Sequence, residues 1–278
     1  MKQHDSNARG SREDRQMTDD TSYFKEFARR DGTRGRFMPV FTYHRLSEPG
    51  DIRSRFDFSS VVFNSHLEAL AAAGIRCVVP EDLSGAGAQA AMDRAVMITF
   101  DDGYESDYHT ALPALARFGF KAVTFITANL VGRPGYLTWD KIRELADAGF
   151  SVQSHSLNHR FLTTLDAKEL SVELKKSKEA IEDKVGAKVN YVAAPGGRVS
   201  GVVVRAAAEA GYAGIFNSKP GYAISRESSI FVFNRFVLKN TITLPEFARI
   251  SRQDRLALFK ASAAYSVKNL IRKTLGKP

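Results

Sequence analysis

The chain has 278 residues, enough for one large domain or two small ones, and its 44% hydrophobic and 26% charged residues fit an ordinary globular protein rather than a fibrous or disordered one. Its single cysteine, Cys77, excludes an intrachain disulfide and a cysteine-based zinc finger. Of the net charge of +9, +6 falls in residues 251–278 and +2 in residues 1–36, so the nearly neutral body offers no basic groove for nucleic acid.

Residues 1–36 are polar, mixed in charge and without the apolar core of a signal peptide, which predicts a disordered arm. No stretch reaches the roughly 18–20 apolar residues of a membrane span, so the sequence as it stands predicts a cytoplasmic protein. Short apolar runs from Met38 onward predict strands at Met38–Tyr43, Arg76–Val79, Ala95–Phe100, Ala122–Ile126, Phe150–Gln153, Tyr191–Ala194, Ala213–Phe216 and Ile230–Phe236. Helical patterns lie between them near 60–73, 106–118, 139–148, 167–185 and 200–210. This alternation predicts an α/β fold of parallel βαβ units, in an open sheet or a barrel, with 37–250 as one domain.

Local signals support the helices. Asp166 and Glu169 form a capping box, with Leu165 and Leu170 placed for a hydrophobic staple. Gly74, Gly119, Gly149, Gly186 and Gly211 each follow a helical segment, where a left-handed residue is wanted. In the tail, Leu256, Phe259, Ala263, Val267, Leu270, Ile271 and Leu275 recur at helical spacing among basic residues. That pattern predicts a basic amphipathic helix over 251–278, suited either to packing on the domain or to lying peripherally on an anionic membrane surface.

Three clusters at strand ends carry chemistry. Strand Ala95–Phe100 ends in Asp101-Asp102-Gly103-Tyr104; read blandly, this is a turn that caps the next helix, but adjacent carboxylates near a buried strand end also call for a cation or hydrogen bonds. After Phe150–Gln153 come His155 and His159, four apart, close enough for both imidazoles to reach one ion at about 2.0–2.1 Å. With one of the aspartates they form a two-histidine, one-carboxylate set that leaves positions open for water, as catalytic zinc or non-haem iron sites do. His44 ends the first strand; if Asp102 is the ligand, Asp101 and His44 remain as a carboxylate–imidazole pair for acid–base work. His4, His66 and His109 lie away from strand ends and are assigned no role.

Thr99-Phe100-Asp101-Asp102-Gly103 and His155-Ser156-Leu157-Asn158-His159 resemble the first two motifs of the polysaccharide deacetylases, the NodB-homology group or carbohydrate esterase family four. The resemblance covers about residues 37–240. It implies a distorted, incomplete (β/α) barrel and a divalent metal, zinc with cobalt or nickel as alternatives, held by Asp102, His155 and His159. Asp101 would be the base in removing acetyl groups from an N-acetylated sugar. No histidine follows His159, so the chain is more similar to the permuted deacetylases of poly-N-acetylglucosamine export, and Met38–Arg45 then supplies His44 as the acid.

The third motif, normally Arg-x-Pro-Tyr-Gly, reads Ala193-Ala194-Pro195-Gly196-Gly197-Arg198. Gly196 keeps a backbone N–H for the oxyanion, and Arg198 or Arg45 is left to orient the base in place of the missing arginine. Tyr104, and the sole tryptophan, Trp139, are candidates for contacting sugar, with core packing the alternative for Trp139. The resemblance thus implies an N-deacetylase of an N-acetylhexosamine polysaccharide or glycoconjugate; because the sequence shows no export signal, the expected substrate is a lipid-linked sugar or exopolysaccharide precursor at the inner membrane face. The alternatives are a metal-dependent hydrolase of cyclic amides or imides on the same fold, and a carbohydrate-binding homologue without turnover.

Overall fold

A computed structural model describes residues 38–83, 88–221, 224–227, 230–254, 256–263 and 265. The expected arm at 1–36 and the tail beyond 265 lie outside the described residues.

The sheet is built around β5 (Ala95–Phe100), whose six residues are all buried, as a parallel strand covered on both faces should be. On one side β5 pairs with β1 (Val40–Tyr43), and β1 with β12 (Phe236–Val237). On its other side follow β6 (Val123–Ile126), β7 (Ser151–Ser154), β8 (Tyr191–Ala193) and β9 (Gly214–Phe216), all parallel. β11 (Ile230–Phe233) adds in parallel to β9, and β10 (Ile224–Glu227) pairs antiparallel with β11. β4 (Arg76–Cys77) pairs with the start of β5, and β2 (Leu46–Ser47) with β3 (Phe58–Ser59) in a separate two-stranded sheet.

The strand expected at Ile230–Phe236 is therefore broken. Its first part joins β9 at one end of the sheet and its last part joins β1 at the other, with Asn234 and Arg235 between. This one segment draws the two ends of the sheet together into the incomplete barrel.

Side chains along the strands divide with the two-residue period of a pleated sheet. Phe41, Tyr43, Val96, Ile98, Phe100, Ile126, Val152 and Val192 face the surrounding helices in the larger core cluster. Val40, Met97, Val123, Phe125, Tyr191, Ala193, Phe231 and Phe233 form the second cluster, inside the barrel. Beneath them, Ser151 Oγ and Gln153 Nε2 donate to Glu81 Oε1 at 2.9 and 3.1 Å, a polar plug at the N-terminal end of the strands.

The helices sit close to their expected places. Ala167–Val185 matches the sequence reading, with the Asp166–Glu169 capping box formed and Gly186 left-handed at φ 74°. The remaining helix-following glycines at 74, 119, 149 and 211 also take positive φ. Residues 106–118 differ: a π-helical turn over Asp107–Ala111 precedes an α-helix at Leu112–Ala116. Pro113 has no N–H to offer the carbonyl of His109, which accounts for the widened turn. His66 is buried on the helix Ser60–Ala72, 2.8 Å from the Tyr43 hydroxyl and stacked on Phe247 at 4.0 Å.

At the C-terminus, helix Leu244–Ser251 ends and a second helical stretch starts at 256, where Asp254 Oδ1 accepts from the Leu256 and Ala257 N–H groups at 2.9 and 3.1 Å. Over 256–263 the packed face is Ala257, Leu258 and Ala261. Leu256 and Phe259 of the expected apolar stripe are instead 54% and 71% exposed. No helix among the described residues is long and apolar enough to cross a membrane.

Candidate metal and acid–base site

The inward period of the strands continues past their C-terminal ends. Residues 97 and 99 of β5 lead to Asp101, 40 and 42 of β1 to His44, 151 and 153 of β7 to His155, and 231 and 233 of β11 to Arg235. Four functional-group side chains are thus delivered to one mouth by strand parity, on the rim where α/β folds collect their sites.

Asp101 donates its N–H to Tyr43 O at 3.0 Å, extending the β1–β5 ladder by one bond. The chain then turns sharply through Asp102 and Gly103, both left-handed at φ 79° and 77°. A non-glycine residue in that region costs of order 1–3 kcal/mol, so the strain falls on a carboxylate that the surroundings must hold. The turn aims Asp102 Oδ1 at His155 Nε2 and His159 Nε2, 3.3 and 3.1 Å away.

These three atoms are spaced for an ion. Ligand atoms at the corners of a tetrahedron with arms of about 2.0–2.1 Å are about 3.3 Å apart. One donor atom from each of Asp102, His155 and His159 lies within 4.8 Å of the others. Asp102 Oδ1 is buried without an aligned hydrogen bond, although both imidazoles approach it closely. His155 Nδ1–H donates to Ala193 O at 2.9 Å, which leaves the Nε2 lone pair facing the gap. Burial by itself would raise the Asp102 carboxyl, but its two histidine neighbours hold it well below the usual carboxylate range. The Asp102 carboxylate in turn raises His159 above the ordinary histidine value.

Asp101 is 4% exposed and grips Arg235, which is wholly buried. Arg235 Nη1 and Nη2 donate to its two oxygens at 2.7 and 2.9 Å, a bidentate pair. Nε donates to Asn217 O at 2.8 Å, and the guanidinium lies 5.4 Å from the centre of the Phe125 ring. Burial pushes the Asp101 carboxyl up, and the charge and hydrogen bonds of Arg235 together with the nearby His155 and His44 outweigh that, so it stays below its ordinary value.

Arg235 corrects the expectation that Arg198 or Arg45 orients this carboxylate. Arg45 is occupied by Asp51 and Asp57 at 2.9 and 2.7 Å, and Arg198 lies over the Phe161 ring at 4.2 Å. A signal for Arg235 was present in the sequence: a lone charge in the apolar run 230–236, on the same parity as the inward Phe231 and Phe233.

His44 is half-buried, its ring 5.2 Å from Phe56, and its buried Nδ1 has no hydrogen-bond partner. Burial lowers its pKa, and the charges of Asp101 and Asp102 oppose the fall. Tyr104 stacks on Tyr136 at 5.0 Å, and burial followed by the Asp102 charge raises its phenol. Trp139 opens the helix Trp139–Asp147 and is half-buried against the larger core cluster, the packing alternative left open by the sequence.

Gly196 is exposed and left-handed at φ 65°, and a Cβ there would meet Phe161 Cε1 at 2.6 Å. The Phe161 ring therefore fills the space a larger residue at 196 would need. The neighbouring Gly197 N–H donates to Ala194 O at 2.7 Å.

Comparison with known proteins agrees over this region. Residues 88–215 match the polysaccharide deacetylase family model. YxkH of Bacillus subtilis is 28% identical over 71% of this chain and 70% of its own length. The crystal structure of BC0361, a polysaccharide deacetylase from Bacillus cereus, superposes with a TM-score of 0.69 at 26% identity, covering 77% of this chain and 69% of that one. The poly-β-1,6-N-acetyl-D-glucosamine N-deacetylase of Escherichia coli K12 is 24% identical over 56% of this chain, which spans 30% of that protein. The two strand-end motifs, the half-barrel sheet and these matches agree in placing a polysaccharide deacetylase domain around residues 88–215 of this chain.

Proposed function

We propose that the chain is a metal-dependent N-deacetylase acting on an N-acetylhexosamine polysaccharide or glycoconjugate. The observation that carries this reading is the Asp102–His155–His159 cluster lying beside a buried, arginine-held carboxylate, Asp101. Two imidazoles and one carboxylate form a donor set that suits zinc, with cobalt and nickel as functional replacements. When bound, the ion would supply Lewis-acid polarisation of the amide carbonyl and make water more acidic.

In this reading the chain's own residues handle the protons. Asp101 takes the proton from the attacking water, and Arg235 fixes both of its oxygens so that the ionised form is the one present. The Gly196 N–H donates to the oxygen that gains charge as water adds to the carbonyl. His44 protonates the sugar nitrogen as the C–N bond breaks, which yields acetate and a free amine. Tyr104 and Arg198, at the mouth, contact the sugar.

The experiment measures acetate released from N-acetylglucosamine oligomers after chelation and after zinc, cobalt or nickel is restored, with Asp101→Asn in parallel. Metal-restored acetate that Asp101→Asn does not produce is the expected result. Stoichiometric metal binding with no acetate from any acetylated oligomer would refute the substrate class and return cyclic amides to consideration.

A further inference from the structure

The turn that carries both histidines is held in an unfavourable backbone conformation. Ser156 and His159 are left-handed at φ 66° and 58°, a region that costs a non-glycine residue of order 1–3 kcal/mol. Some support is internal: the Ser156 N–H donates to Ser154 Oγ and the His159 N–H to Ser156 Oγ, both at 3.1 Å.

The rest comes from Glu173, on the helix Ala167–Val185. It is 1% exposed, on the face that also buries Leu170, Leu174 and Ser177. Its Oε2 accepts from the backbone N–H groups of Leu157 and Asn158 at 3.0 and 2.9 Å. Its Oε1 accepts from Asn158 Nδ2 at 2.8 Å, and Asn158 Oδ1 is held by Asn129 Nδ2 at 2.6 Å. A carboxylate is costly on a buried helix face, where an apolar side chain would pack without penalty. Here it gathers three amide donors of one turn.

We propose that Glu173 is a positioning residue of the metal site: its grip on residues 157 and 158 sets the turn so that the Nε2 atoms of His155 and His159 face Asp102. The inference rests on the metal-site reading above and adds a residue that touches neither ion nor substrate. Without Glu173 the left-handed turn can relax, and the two imidazoles separate.

The test uses the full chain and reads cobalt and zinc affinity by competition with a chromogenic chelator, the cobalt absorption spectrum, and the Tm of the metal-free protein. Glu173→Ala is expected to weaken binding by roughly 10–100-fold and to alter the cobalt spectrum. Glu173→Gln, which keeps the shape and one accepting oxygen, should lose only about three- to tenfold. Ile181→Ala, two turns along the same buried face and with no hydrogen bond to the turn, should lower Tm with affinity unchanged.

If Glu173→Ala binds cobalt with wild-type affinity and spectrum, the inference is overturned, whatever its Tm. Should that variant not be recovered folded, wild-type behaviour of Glu173→Gln overturns it equally. A wild-type chain that binds neither metal would instead bring down the metal-site reading itself.

Discussion

Replacing Arg235 with glutamine removes the two N–H donors that meet Asp101 at 2.7 and 2.9 Å, at a position where the carboxylate is 4% exposed. Charge-assisted hydrogen bonds contribute about 1.5–3 kcal/mol each, so the stranded carboxylate loses about 3–5 kcal/mol of support. The loss has a ceiling, because Asp101 can take a proton instead. Raising a carboxyl from its ordinary 3.8 to pH 7 costs about 4 kcal/mol at 1.36 kcal/mol per unit. At neutral pH the destabilisation should therefore stay within about 4 kcal/mol, and Asp101 takes its proton at a higher pH than in the wild type. The activity profile records the same event: the acid limb of kcat/KM should move up by about two to three pH units. The assay is deacetylation from pH 5 to 9 alongside urea unfolding at pH 7, for wild type, Arg235→Gln and the double variant Asp101→Asn/Arg235→Gln. The double variant leaves no charge stranded and should recover much of the lost stability. An Arg235→Gln protein with the wild-type acid limb and stability would refute the pairing argument.

Three further outcomes follow from other parts of the molecule. His44→Ala should retain metal, measured by elemental analysis, while turnover falls about 10²–10⁴-fold; Asp102→Ala, His155→Ala and His159→Ala should lose the metal too, and full activity in His44→Ala would place the acid elsewhere. Gly197→Ala should destabilise more than Gly196→Ala in chemical denaturation, because its Cβ would meet Ser218 Cβ at 2.1 Å and Ser218 N at 2.6 Å, whereas at 196 the obstacle is the edge of the partly exposed Phe161 ring; equal losses would contradict that. Burial lowers His66 to about 4, below the ordinary 6.5, so the unfolded chain binds the extra proton in that window. The stability this gives is intact above pH 6.5 and is lost as pH falls towards 4, by about 3 kcal/mol in total, and the steeper acid loss of wild type relative to His66→Gln checks the sign.

The strands and both motif loops were legible because local pattern determines them. Continuous apolar runs such as Ala95–Phe100 read directly as buried parallel strands, and the Asp-Asp-Gly and His-x-x-x-His groups sit next to one another in sequence at their ends. Partners distant in the chain were harder to see. Arg235 lies 134 residues from Asp101, and although its lone charge in an apolar run marks it as inward-facing, nothing local says which carboxylate it meets, while Arg45 and Arg198 each lie closer to one of the motifs. The break in the last strand depends on which neighbours each half finds, and that is a property of the closed sheet. In sequence Glu173 is one more acid on an amphipathic helix, since periodicity identifies the buried face but not the amide groups beneath it. The proline-widened turn at Asp107–Ala111 could have been foreseen from Pro113, which an otherwise regular helical pattern concealed.

The segment that draws the sheet ends together also connects two kinds of order. His44 and Arg235 follow from β1 and the β11–β12 break, and β1 and β12 are hydrogen-bonded neighbours; both residues lie outside the 88–215 stretch that carries the family match. The proposed ion ligands belong to the middle of the sheet, while the proposed acid and the partner of the proposed base arrive at its seam. Opening at the seam, a local fluctuation that need not melt the rest, would separate Arg235 from Asp101 and withdraw His44 while leaving Asp102, His155 and His159 assembled. Such a molecule would hold metal and do no chemistry, so metal content would overstate the active fraction of any preparation in which the seam has loosened.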